Sequence, residues 1–180
     1  VLRDVTTGVP PNVTTGVPPD VTTGVPPDVT TGVPPDVTLS SSKGAPPGEP
    51  LVLLLRRANG AFAGAWTFVM GGVEDGERAS DAARRELLEE TGLAATALFT
   101  AGELDAFYDP VRDRIVHVPF FVAYLAVGDV ALEADVHDEH RWVTFAQAAE
   151  LLEFASHRRV LDEIHRGFIA RTPQPWRTIR

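Results

Sequence analysis

The sequence predicts an α/β sandwich built on a mixed sheet, preceded by a disordered repeat arm. Three observations predict it. Strand-like and helix-like segments alternate from Leu51 onward, with an antiparallel-looking strand pair in the middle. A hydrophobic content of 44% in 180 residues fits one globular domain of ordinary size. The first 38 residues are instead an octapeptide repeat without helical or strand periodicity.

The repeat comes first in the chain. DVTTGVPP at Asp4–Pro11 recurs as NVTTGVPP from Asn12, then as DVTTGVPP from Asp20 and Asp28, with a partial copy at Asp36. Each unit carries Pro-Pro and Gly, which break helices and interrupt strand ladders. Its two valines bury too little surface to offset chain entropy. Residues 1–38 therefore read as an extended arm of polyproline character, and residues 39–50, LSSSKGAPPGEP, as a linker or first hairpin. One short, poorly packed strand is expected at about Val37–Ser41, since ladder bonds do not depend on side chains.

Residues 51–180 form the domain. LVLLLRR reads as a buried strand ending in Arg56 and Arg57, and WTFVMGG as a short strand running into Gly71 and Gly72. Arg78–Thr91 has helical periodicity, with Gly92 placed as its C-terminal cap. ALFTAGELDAFY and IVHVPFFVAYLAV are strand-like on either side of the turn-rich DPVRDR. HRWVTF is a further strand, and FAQAAELLEF and SHRRVLDEIHRGFIAR are amphipathic helices. Trp66 and Phe68 fit the core, and His117, His157 and His165 carry no ligand spacing.

Composition narrows the function. A net charge of −9 does not favour a nucleic-acid polymer as partner, but is compatible with a divalent cation bridging a phosphorylated small molecule to carboxylates. No apolar run is long enough for a membrane span, and no secretory signal is visible, so a cytoplasmic setting is expected. The absence of cysteine excludes disulfides and thiolate metal sites.

The helix poses a problem. Glu86, Glu89 and Glu90 fall within an arc of roughly 100° on one face, where like charges repel by a few tenths of a kcal/mol per pair. A cation between them resolves it. Mg²⁺, or Mn²⁺ in its place, takes carboxylates together with substrate phosphate oxygens and waters. Glycines upstream let a loop approach a phosphate closely. Glu77 and Arg85 are placed to pair across the loop–helix turn.

The same residues, Gly71, then Glu77, Arg85, Glu86, Leu87, Glu89, Glu90, Gly92 and Leu93, match every fixed position of Gly-x5-Glu-x7-Arg-Glu-U-x-Glu-Glu-x-Gly-U, where U is a bulky aliphatic residue. The stretch 71–93 resembles the Nudix box, and the resemblance extends from about Leu51 to Arg171. It implies a Nudix-type α/β/α sandwich with Mg²⁺ at Glu86, Glu89 and Glu90, and a structural role for Glu77, Arg85 and Gly92. It also implies hydrolysis of a nucleoside diphosphate linked to another group. WTFVMGGVEDGE, HDEHRWV and SHRRVLDEI are similar to the Nudix pyrophosphohydrolases of dATP and dihydroneopterin triphosphate. A nucleoside or pterin triphosphate is the first expected substrate and a dinucleoside polyphosphate the second. A non-catalytic nucleotide sensor is the contrasting class, though sensors usually lose box glutamates and this chain keeps them all.

One departure stands out. Relatives of that subgroup place Glu before the histidine that here is His137; this chain has Val136. Asp135, Asp138 and Glu139 are the candidates to replace that acid, with Glu139 taken as catalytic. The alternative is that Glu86 or Glu89 acts as base. Substrate contacts are expected from Gly71, Gly72, one of Arg56 and Arg57, and Tyr108. The two arginines point to opposite faces of a strand, so only one should reach a phosphate.

Overall fold

VLLLRR forms the central strand of a sheet because its two fully buried leucines, Leu54 and Leu55, point to opposite faces, each of which is covered. The computed structural model describes residues 2–3, 49–125 and 128–180. In chain order the strands and first helix are β1 (Leu2–Arg3), β2 (Val52–Arg57), β3 (Trp66–Thr67), β4 (Gly71–Gly72) and α1 (Ala79–Thr91). The long hairpin β5 (Ala95–Asp109) and β6 (Arg114–Leu125) follows, then β7 (His137–Val143), α2 (Phe145–Leu151), α3 (Ala155–Ile164) and β8 (Thr178–Ile179).

Strand pairing mixes both senses. β2 lies between β3 and β7, antiparallel to each; β5 lies between β6 and β8, again antiparallel; β1 and β4 run parallel. The expected α/β fold with a mixed sheet is thus present, with few helices. WTFVMGG is two short strands rather than one, because Met70 sends its N–H to the Glu90 side chain instead of a neighbouring strand. β8 pairs with Leu98–Phe99 of β5 and was not expected from the sequence.

Helices cover both faces. Leu54, Trp66, Phe68, Phe120 and Val143 meet Ala148 of α2 and Val160 and Leu161 of α3 in one core. On the other face Ala82 and Ala83 of α1 pack against Phe121, the next residue after Phe120. The small alanines let α1 approach the sheet closely. α1 ends where Gly92 takes a left-handed conformation (φ 70°) and returns its N–H to Leu88 O, the cap read from the sequence. α2 starts with a reciprocal cap between Thr144 and Gln147.

The chain divides into two units, Thr7–Val37 being one and Val1–Thr6 with Thr38–Arg180 the other. The expected strand at Val37–Ser41 and the body of the repeat lie outside the described residues. Leu2–Arg3, which the sequence reading assigns to the arm, instead pairs with Gly71–Gly72.

His157 is buried in the core against the rings of Phe68, Phe120 and Phe154, at centroid distances of 5.2, 5.8 and 5.1 Å. Burial holds its pKa down to about 4. Above pH 6.5 neither the folded nor the unfolded state protonates it. As pH falls from 6.5 to about 4, the unfolded state takes a proton the folded state refuses, so stability is lost across that window by up to about 3 kcal/mol. Urea unfolding of His157→Phe should show a shallower loss between pH 7 and 4. His137, also held near 4 by burial, keeps part of the slope. A variant slope equal to that of the unaltered chain would refute the assignment.

Candidate metal and phosphate site

Gly71 leaves the space that the Glu86 carboxylate of α1 occupies. A Cβ at Gly71 would stand 1.7 Å from Cδ of Glu86, so a larger residue there would displace that carboxylate from its present place. Gly72 contributes its carbonyl, which accepts from Arg85 Nη2 at 2.8 Å. Loop and helix are thus joined through two adjacent glycines.

Arg85 is the centre of this junction. Its Nε and Nη2 donate to the two oxygens of Glu77, both at 3.0 Å, a bidentate pair. Nη1 donates to Glu86 Oε1 and Glu89 Oε2, each at 2.9 Å. Glu77 Oε2 also accepts the N–H of Glu74, closing the loop on itself. The Arg85 hydrogen bonds hold the Glu77 carboxyl below its ordinary pKa, and the same carboxylate raises that of Arg85.

Glu86, Glu89 and Glu90 occupy different environments. The Glu89 side chain is 53% exposed and that of Glu86 14%, while Glu90 is buried. Burial first, and then the charge of Glu86, push the Glu90 carboxyl up to about 7, against the N–H of Met70 at 3.3 Å. Among the described residues no three acidic or histidine side chains are gathered closely enough to hold a metal ion as they stand. The donor set nevertheless fits a hard divalent cation. Glu86 and Glu89 already converge on one cationic nitrogen, and the mutual repulsion of Glu86 and Glu90 is what a cation relieves.

The remaining expected residues separate by face. A register shift between Arg56 and Arg57 places Arg56 opposite Glu139 and Arg57 opposite His137. Arg56 is engaged by Asp138 at 2.7 Å and Glu139 at 3.0 Å and lies near the ring of the core residue Trp66. Glu139 also accepts from Arg141 at 2.7 Å. Its carboxylate is therefore held by arginines and is not brought to α1. Arg57 is on the side of α1, where its charge bears on both Glu90 and His137, and its buried Nε has no hydrogen-bond partner among the described residues. Tyr108 is 59% exposed and donates to Asp113 Oδ1 at 2.8 Å, which ties down the β5–β6 turn rather than the α1 site. His137, fully buried with Nδ1 3.9 Å from Glu90 Oε1, joins the site although the sequence singled it out only by alignment.

The NUDIX domain model matches residues 37–164. The rat asymmetrical bis(5'-nucleosyl)-tetraphosphatase is 30% identical over 126 residues, covering 67% of this chain and 82% of that protein. An RNA pyrophosphohydrolase of Caulobacter vibrioides is 36% identical over 103 residues, 48% of this chain and 60% of the other. The structure of the E. coli dihydroneopterin triphosphate pyrophosphohydrolase superposes with a TM-score of 0.51 at 23% identity, over 67% of this chain and 87% of that one, a likeness of fold.

Proposed function

This chain belongs to the Nudix family of hydrolases and acts on phosphoric anhydride bonds, and from that premise we propose that it hydrolyses a nucleoside or pterin triphosphate to monophosphate and pyrophosphate with Mg²⁺. The observation that carries the reading is the Gly71–Glu86 contact within the Arg85 junction, which sets acidic side chains beside a loop that a phosphate can approach. Bound Mg²⁺, or Mn²⁺ in its place, neutralises phosphate charge and lowers the pKa of a bound water. Glu86, Glu89 and Glu90 hold the cation. Glu89, the most exposed of the three, is the carboxylate best placed to take the proton from the attacking water. Arg57 offers its guanidinium to phosphate oxygens from the α1 side, whereas Arg56, on the opposite face, is already engaged by two carboxylates.

A dinucleoside polyphosphate is the second reading, favoured by the similarity to the rat tetraphosphatase over most of its length. A polymeric RNA substrate fits less well with a net charge of −9. Among the described residues no helix is long and apolar enough to cross a membrane; we place the enzyme in the cytoplasm. A panel of dATP, dihydroneopterin triphosphate and diadenosine tetraphosphate with Mg²⁺, scored by product, tests the proposal. Pyrophosphate release from a triphosphate is expected. Release of a nucleoside triphosphate from the tetraphosphate alone would transfer the assignment to the second reading.

A further inference from the structure

We infer that His137 is a positioning residue for Glu90, its imidazole N–H orienting that carboxylate when the cation binds. The inference rests on the metal assignment made above for α1. His137 is 0% exposed, yet neither ring nitrogen has a hydrogen-bond partner among the described residues. An unsatisfied buried donor costs about 1–3 kcal/mol, so a fully enclosed imidazole in this state implies an acceptor that comes into range. The acceptor at hand is Glu90. Its Oε2 takes the N–H of Met70, and its Oε1 faces His137 Nδ1 across 3.9 Å. A shift of about 1 Å turns that approach into a hydrogen bond.

The backbone explains how the ring reaches this place. The register shift between Arg56 and Arg57 of β2 lets His137 and Glu139 of β7 turn to opposite faces of the sheet. His137 is thereby committed to the α1 side. A carboxylate that ligates a metal needs an outer partner to fix its orientation, and loss of such a partner typically weakens metal affinity about 10- to 100-fold.

The test uses the full chain and Mn²⁺ as probe, with affinity read by electron paramagnetic resonance. His137→Leu removes the donor, and His137→Asn keeps an N–H near the position of Nδ1. The expected result is Mn²⁺ binding weakened about tenfold or more in His137→Leu, near-normal binding in His137→Asn, and a kcat deficit in His137→Leu that excess Mg²⁺ relieves. Normal Mn²⁺ affinity in His137→Leu overturns the inference. So does equal weakening in both variants, because packing rather than the N–H would then be responsible. If His137→Leu does not fold, His137→Gln, whose amide lies nearer Nε2, takes its place against His137→Asn with the same expected order. Failure of the unaltered chain to bind Mn²⁺ would remove the metal assignment itself, and this inference with it.

Discussion

Replacing Glu89 by Gln should lower kcat by about a hundredfold or more while leaving the thermal midpoint unchanged, since removing a single charge-stabilising group from such a site commonly costs that much. The side chain is 53% exposed and its fixed partner is Arg85, at 2.9 Å. An exposed ion pair contributes little to stability, so the fold should not register its loss. A neutral amide, however, cannot supply the anionic oxygen a hard cation requires, nor accept a proton from water. Glu90→Gln should lower kcat likewise, because the amide again lacks the anionic oxygen, and its melting midpoint should hold for a different reason. Burial already favours the neutral carboxyl at this position, and the amide is close to it in shape. The measurement is kcat at saturating Mg²⁺ beside a melting curve. Unchanged turnover by either variant on every substrate of the panel would mean that α1 is not the metal site.

The acidic face of α1 was legible because chemistry fixes its residue types and the helix fixes their spacing. The Arg85–Glu77 pairing followed from the same spacing, although the structure adds Gly72, Glu86 and Glu89 to the partners of that one guanidinium. The placement of Glu139 and His137 on opposite faces was not legible. It depends on an irregularity of one residue in the β2–β7 ladder, and such a slip changes which side chains share a face without altering composition or periodicity. β8 escaped notice for a simpler reason. Two residues, Thr178–Ile179, show no period; their place is set by Arg177, which donates to Ala101 O and rests near the Phe168 ring at 5.4 Å. The break within WTFVMGG was equally hidden, since it arises from a side-chain acceptor, Glu90, twenty positions downstream.

Removing the repeat and removing everything ahead of β2 should have opposite consequences. Leu2–Arg3 pairs in parallel with Gly71–Gly72, the glycines that seat Glu86 and bind Arg85. In sequence, the repeat therefore lies between two strands of the domain. Deleting Asn12–Pro35 removes three whole octapeptides, leaves β1, and halves the connection from β1 to β2. A shorter connection costs less to close, by about 0.6 kcal/mol per halving, so stability should hold or rise slightly. Turnover should be unchanged. Deleting residues 1–44 takes β1 away as well. The N–H and C=O groups of Gly71 and Gly72 then lose their strand partner, and the loop carrying them is free to leave α1. The expected result is a lower melting temperature and a loss of turnover of about tenfold or more, in line with what misplacing catalytic groups by about 1 Å costs. Both deletions are compared with the full chain by melting curve and by pyrophosphate release. Equal activity of the two shortened chains would show that β1 contributes nothing to the site. Failure of the Asn12–Pro35 deletion alone would instead make the repeat itself part of the working enzyme.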